Sequence, residues 1–233
     1  MVMTKSIIQL NQDAILYLRS GMHSRAKSAL LTAYSCLEGA GAAQAVRNYS
    51  HHTAINTHGP LLPPLKSLQI NDRSLNAANV SSSGNDLFTC YRRALSVSEL
   101  DDAHYSFIAR TRMSAVIQYN LALSHHQSGI ESNNTKDLEI ALQLYEGAYF
   151  TIERVKNQYR MDDVFLLLLG IFFNMTHIHC NMFNVAECEH CLEWLKVALS
   201  SRECVTLEEG DYLFFSTNVS LLSIQMPRLA PAA

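Results

Sequence analysis

Residues 119–129 read YNLALSHHQSG and residues 141–148 read ALQLYEGA, and these two stretches decide the fold class. In both, small and large apolar side chains recur at intervals of three and four, which is the spacing of one face of an α-helix. Gly129 is predicted to end the first helix, and the polar stretch Glu131 to Lys136 is predicted to be a loop before the second. The pattern therefore predicts a helical hairpin within residues 103–157.

The same arrangement occurs twice more in the chain. Residues 4–45 carry two apolar stripes that are interrupted at Gly21, and residues 161–200 carry two that are interrupted at Phe183–Asn184. A last apolar segment, residues 207–226, predicts a C-terminal capping helix. Because one hairpin cannot bury its apolar faces alone, the copies are expected to stack on one another.

The three hairpins are also similar position by position. When they are aligned on their turns, the spacings within the helices agree and only the turn length varies. Small residues let two helix backbones approach closely, and the large residues between them fill the flanking gaps. The aligned positions are Ala14, Tyr17, Gly21, Ala26, Leu30 and Ala33; then Ala122, His125, Gly129, Ala141, Tyr145 and Ala148; then Thr176, His179, Phe183, Cys191, Leu195 and Ala198.

On these residues the sequence resembles tetratricopeptide repeats (TPR) over roughly half of the chain. The third hairpin departs most from the family, because Thr176, Phe183 and Cys191 stand where small residues are usual. The resemblance implies a right-handed stack of hairpins that acts as a non-catalytic scaffold and holds a protein or peptide in a concave groove. Through Tyr119–Leu123 and His177–His179 the chain also looks like TPR-like proteins of eukaryotic algae, which implies no particular activity.

The predicted organisation is one all-α repeat domain with a long insertion. The first hairpin occupies residues 1–45, the insertion 46–102, the other hairpins and the capping helix 103–226, and the tail 227–233. Residues 46–86 hold three of the five prolines and the run Ser81-Ser82-Ser83-Gly84, and they are predicted to be mostly loop and partly disordered. The segment Phe88 to Val97 is open to two interpretations: a strand paired with Leu68–Ile70 in a short β-hairpin, or the start of a helix.

Composition excludes several classes of protein. The chain has 233 residues, of which 48% are hydrophobic and 17% charged, so a wholly disordered protein is excluded. Its net charge of -3 gives no basic excess to attract nucleic acid or a membrane surface. The longest apolar run, Val164 to Phe173, is too short to span a bilayer. No secretory signal is recognised, so an intracellular, cytoplasmic protein with reduced cysteines is expected, with the nucleus left open.

The repeat pattern also predicts which side chains line the groove. The first helix of each hairpin should present an aromatic and amide-rich surface that carries little charge. Because Arg19 is its one cation, an apolar extended or helical peptide is the expected ligand. The predicted groove residues are Asn11, Ile15, Arg19, Tyr119, Leu123, His126, Gln127, Phe173, His177 and Asn181. The alternative is that they pack against the insertion or the C-terminal helix.

Two other functions remain as alternatives. His177 and Cys180 on one helix, with Cys188 and Cys191 on the next, have the residue types of a zinc-binding or enzymatic site, although buried cysteines are commonly core residues. No metal or cofactor is predicted, and the chain has no recognisable hydrolase, phosphate-loop or zinc-helix motif, so an enzyme is not predicted. The other alternative is a helical protein that associates with itself through the groove, as a homo-oligomer.

Overall fold

The protein was analysed as a computed structural model, which describes residues 2–48, 62–63, 65–70, 89–97, 107–158 and 160–229. These residues form seven α-helices and one two-stranded antiparallel sheet, so the predicted all-α character is confirmed. The elements are α1 Val2–Arg19, α2 His23–Asn48, β1 Lys66–Gln69, β2 Arg93–Ser96, α3 Phe107–Ser132, α4 Thr135–Glu153, α5 Phe165–Asn181, α6 Val185–Leu199 and α7 Glu209–Leu229. Short 3-10 turns occupy Lys156–Gln158, Met161–Asp163 and Arg202–Thr206.

The chain divides into two compact units. Unit 1 comprises Met1–Asn71 and Arg93–Val164, and it contains α1 to α4 with the sheet. Unit 2 comprises Asp72–Arg92 and Phe165–Ala233, and it contains α5 to α7.

The first hairpin of unit 1 turns at the predicted glycine. Gly21 has a φ of 70°, a left-handed conformation that is unstrained only without a Cβ. Ala26, Leu30 and Ala33 of α2 are fully buried, as the alignment of small and large positions requires. Helix α2 continues to Asn48, past the predicted end of the hairpin at residue 45.

The second hairpin corrects the predicted role of Gly129. Helix α3 continues through it to Ser132, so the predicted loop shortens to two residues, Asn133 and Asn134. A Cβ on Gly129 would lie 2.8 Å from Cδ2 of Leu138 and 3.1 Å from its backbone nitrogen. The glycine is thus needed for the close approach of α4, not for ending α3.

The short sheet settles one interpretation that the sequence left open. Strand β1 pairs with β2 in antiparallel register, with Leu68 opposite Ala94, so the β-hairpin is confirmed. The alternative, a helix starting within Phe88–Val97, is wrong, because residues 93–96 form the strand and residues 89–92 and 97 are not helical. Most of residues 46–86, predicted to be loop and partly disordered, lies outside the described residues; within them, residues 46–48 belong to α2.

Unit 2 is built around aromatic packing. Its hairpin turns at Phe183, with a φ of 58°, and at Asn184, which confirms the predicted turn. Phe172 of α5 stacks on Trp194 of α6, with ring centroids 4.0 Å apart. The predicted C-terminal helix is confirmed as α7, which begins at Glu209. None of the helices in the described ranges is both long enough and apolar enough to cross a membrane.

Candidate functional site

A buried asparagine in unit 1 holds the backbone of strand β2. The side-chain oxygen of Asn120 accepts a hydrogen bond from the Leu95 amide at 2.9 Å, and its Nδ2 donates to the Leu95 carbonyl at 2.8 Å. The same Nδ2 also donates to Oδ1 of Asn11 at 2.9 Å. Asn11 in turn donates to the Leu95 carbonyl at 3.3 Å. Side chains of two helices, α1 and α3, therefore hydrogen-bond to the main chain of one residue of strand β2, Leu95.

This contact overturns the predicted exposure of the groove in unit 1. Strand β2 packs against α1 and α3, and the Tyr119 hydroxyl donates to the Arg93 carbonyl at 3.1 Å. The predicted groove residues that are buried here, contrary to expectation, are Asn11, Ile15, Tyr119, Leu123, His126 and Gln127. Arg19, at the end of α1, is exposed as expected. The chain's own strand fills the place where a peptide was expected.

A second buried asparagine makes the same kind of contact in unit 2. Asn174 of α5 accepts from the Tyr91 amide at 2.8 Å and donates to the Tyr91 carbonyl at 3.2 Å. The Tyr91 hydroxyl donates to Oδ1 of buried Asp211 at 2.7 Å. Phe173 was predicted to be exposed in the groove, but it is buried, because Phe214 of α7 packs edge-on against its ring at 5.1 Å.

Sequence reasoning missed both asparagines, although a signal was present. In the aligned hairpins, Asn120 lies two residues before Ala122, and Asn174 lies two residues before Thr176, so they occupy the same repeat position. An amide at a repeated position within an apolar stretch indicates a buried polar group that needs partners. The partners were not predictable, because they lie in Phe88–Val97, which the sequence left open between a strand and the start of a helix.

The last two predicted groove residues, His177 and Asn181, lie near the end of α5. Asn181 is exposed and His177 is half-buried. Nδ2 of Asn181 donates to Nδ1 of His177 at 3.1 Å, which requires that Nδ1 carries no proton. Burial, and secondarily the positive charge of Arg92, lower the pKa of His177 to about 4.

We therefore expect unit 2 to lose stability in mild acid. A histidine whose pKa is lowered by folding takes up its proton more readily when unfolded, so the free energy of unfolding falls as the pH drops from about 6.5 toward 4. Nuclear magnetic resonance should give a midpoint of about 4 for the His177 ring. His177→Gln, which cannot titrate, should lose less stability over this range. A ring midpoint near about 6.5 would contradict the prediction.

A charged cluster links the two hairpins of unit 1. Oδ1 of Asp137 lies 2.6 Å from Nδ1 of His125 and 3.1 Å from Nζ of Lys27. Burial lowers the pKa of His125. Burial would raise the pKa of Asp137, but the hydrogen bonds and charges of His125 and Lys27 outweigh it and lower that pKa. The cluster connects α2 and α3 to α4 and so stabilises unit 1. This structural role explains the arrangement of the three side chains, and no ligand is needed to explain it.

The cysteines proposed as zinc ligands are brought together only in part. Sγ of Cys180 lies 2.7 Å from Sγ of Cys188, and Cys188 and Cys191 are both buried. Among the described residues, no group of three or more histidine, cysteine or acidic side chains is arranged to hold a metal ion. The arrangement at this hairpin is therefore a pair of neighbouring thiols.

One face of α7 exposes a row of mostly apolar side chains. Leu213 is 53% exposed and Ile224 is 66% exposed, and the exposed residues Thr217 and Leu221 lie between them at intervals of three and four. These four positions define the α7 stripe. The sequence has no charged residue between Asp211 and Arg228. A solvated helix face normally carries charge, so an uncharged apolar stripe favours contact with another apolar surface.

Several polar side chains of α7 form hydrogen bonds within the helix itself. The hydroxyls of Ser220 and Ser223 donate to the carbonyls of Ser216 and Val219 in the preceding turn, both at 2.8 Å. Asn218 donates in the same way to its own helix. These three donors are used within the helix.

Comparisons of the chain with models of protein families, with curated proteins and with solved structures found no match. The resemblance to TPR proteins thus stays a prediction from the sequence. The candidate site is the α7 stripe, which combines exposure, helical spacing and absence of charge.

Proposed function

We propose that this chain is a non-catalytic, intracellular protein-interaction scaffold of stacked TPR-like hairpins, and that its partner binds the α7 stripe. The observation that carries the proposal is the uncharged, exposed stripe of Leu213, Thr217, Leu221 and Ile224. The inner faces of α1 and α3 do not provide this surface, since strand β2 packs on them. The function is thus the scaffold function that the sequence suggests, but the partner contacts α7 and not the groove predicted from the repeats.

The proposed occupant is an amphipathic helix of a partner protein, lying antiparallel along α7. Each of α1, α3 and α5 packs against the helix that follows it across a short turn. Helix α7 packs on α6 and follows it as the first helix of a further hairpin would, and within the described residues no later helix covers it. A partner helix would complete that hairpin by the helix-in-groove mode of recognition.

The stripe also sets the chemistry and length of this partner helix. From Leu213 to Ile224 the stripe is about 16 Å long, or about three turns of helix. The facing side of the partner should carry aliphatic residues at intervals of three and four, since a charged residue against this stripe would lose its hydration without gaining a partner. An acidic or basic peptide is therefore disfavoured.

Photo-crosslinking in cells that express the protein tests this proposal. Leu213 and Ile224 are each replaced by a photoreactive benzoylphenylalanine, and the crosslinked segment of the partner is mapped by mass spectrometry. An antiparallel helix predicts that position 213 crosslinks near the C-terminal end of that segment and position 224 near its N-terminal end. Leu221→Glu should lower the yield at both positions by about tenfold, a loss of about 1.4 kcal/mol of binding.

The matched control is Leu31 on α2, which is 53% exposed, the same fraction as Leu213. A photoreactive residue there should give no adduct with the same segment, and Leu31→Glu should not change the yield from α7. Adducts of equal yield from position 31 would contradict the proposal, as would a partner segment without an aliphatic stripe. An adduct between two copies of this chain would replace it with self-association.

A further inference from the structure

The thiols of Cys180 and Cys188 are a pair of nucleophilic side chains in unit 2 that the proposed scaffold function does not use. Cys180 lies in the last turn of α5 and Cys188 in the first turn of α6, on either side of the turn at Phe183–Asn184. Their sulfurs are 2.7 Å apart. A disulfide needs a sulfur separation of about 2.05 Å, so the bond can form with only a small movement of side chains.

We propose that Cys180 and Cys188 are a site of reversible oxidation, at which a peroxide converts the two thiols into an intramolecular disulfide. The hairpin itself holds the pair in place. The Asn184 amide donates to the His179 carbonyl at 2.9 Å, and the Met182 amide donates to the Ile178 carbonyl at 2.9 Å. These bonds fix the end of α5 relative to the start of α6, so neither thiol has to find the other by opening the fold.

The two thiols differ in a way that assigns their roles. Cys180 is half-buried and thus within reach of a small oxidant, whereas Cys188 is buried. The contact with Cys188 lowers the pKa of Cys180, and the same contact together with burial raises the pKa of Cys188. Because the thiolate is the reactive form, Cys180 is the residue oxidised first and Cys188 is the one that resolves the product.

The chemistry balances with hydrogen peroxide as the oxidant. The Cys180 thiolate attacks one peroxide oxygen and the O–O bond breaks, giving a sulfenic acid on Cys180 and a hydroxide that takes up a proton to become water. The Cys188 thiol then loses its proton and its sulfur attacks the sulfur of Cys180. The S–O bond breaks, and the departing hydroxide takes that proton to form a second water. Sulfur loses two electrons in total and peroxide gains two.

Proteolysis after glutamate can identify the bond, because Glu187 lies between the two cysteines and Glu189 separates Cys188 from Cys191. The full chain is treated with peroxide, remaining thiols are alkylated, and the peptides are analysed by mass spectrometry with and without reductant. We expect the peptides of Cys180 and Cys188 to be joined, with the loss of two hydrogen atoms, and to separate on reduction. This bond should form at least about tenfold faster than oxidation of the half-buried Cys36 or Cys204.

Three variants make the result decisive. Cys188→Ser should stop the reaction at the sulfenic acid of Cys180, which dimedone traps, and Cys180→Ser should give neither product. Cys191→Ser is the matched control and should still form the disulfide. A bond from Cys180 to Cys191, a bond between two chains, or oxidation of Cys180 no faster than of Cys36 would overturn the proposal.

Discussion

Tyr119→Ala and Phe173→Ala are each expected to lower the free energy of unfolding by about 3–5 kcal/mol, the cost of removing a large buried aromatic side chain. Tyr119 is fully buried, packs against the ring of Tyr145 at 5.6 Å and bonds the Arg93 carbonyl. Phe173 is fully buried between the rings of Phe214 and Phe215, at 5.1 and 5.7 Å. Denaturant unfolding followed by circular dichroism measures both effects.

Leu31→Ala is the control, since this leucine is largely exposed and its loss should change stability by less than about 0.5 kcal/mol. If both aromatic variants retained the stability of the wild-type protein, the two side chains would have to be exposed, and the open groove predicted from the sequence would be restored. If only one of the two variants kept wild-type stability, the burial of the predicted groove residue would be contradicted in that unit and not in the other.

Asn120→Ala is expected to cost about 3 kcal/mol or more, because it removes one side of three buried hydrogen bonds at once. The amide and carbonyl of Leu95 and the side chain of Asn11 would lose this partner in a buried site, and each such loss costs about 1–3 kcal/mol. Denaturant unfolding gives the total. Hydrogen exchange at the Leu95 amide should report the loss locally, as faster exchange in the variant.

Two further variants distinguish the loss of the Asn120 hydrogen bonds from the loss of its side-chain volume. Asn120→Asp keeps the shape and the acceptor but removes both donated bonds and buries a charge, so it should destabilise at least as much as Asn120→Ala. Asn181→Ala, at an exposed position on α5 where the amide bonds within its own helix, should cost less than about 0.5 kcal/mol. An Asn120→Asp protein with wild-type stability would show that the donated bonds contribute nothing.

The helices were predictable because their signals are local. The spacing of apolar residues placed the hairpins, and Gly21 and Phe183–Asn184 marked two turns at the right residues. Gly129 was misjudged, because a glycine that ends a helix and a glycine that lets another helix approach are identical in sequence. Only the position of Leu138, nine residues later, distinguishes the two roles.

The sequence predicted exposed surfaces less well than helices, both at the predicted groove and at the α7 stripe, because the exposure of a side chain depends on the whole fold. The helical pattern put Asn11 and Tyr119 on the faces expected to line a groove, and in the structure both bond to strand β2. It could not show that a strand in the insertion covers them, since strand β2 joins Asn11 across a separation of 84 residues. The α7 stripe was not predicted, because its apolar residues are also typical of a buried helix. Only the fold shows that one side of α7 is exposed.

The hydrogen bonds of Asn11 and Asn120 to strand β2 also set the time during synthesis at which the first hairpin can make all its contacts. Ribosomes deliver the chain from its N-terminus, so α1 and α2 emerge while their partners are still untranslated. Asn11 bonds residues that lie 84 and 109 positions further along the chain. An ordinary repeat array matures one neighbour at a time. Here the hydrogen bonds of Asn11 cannot all form until the chain has grown by 109 further residues, so α1 stays without these partners for that whole interval of synthesis.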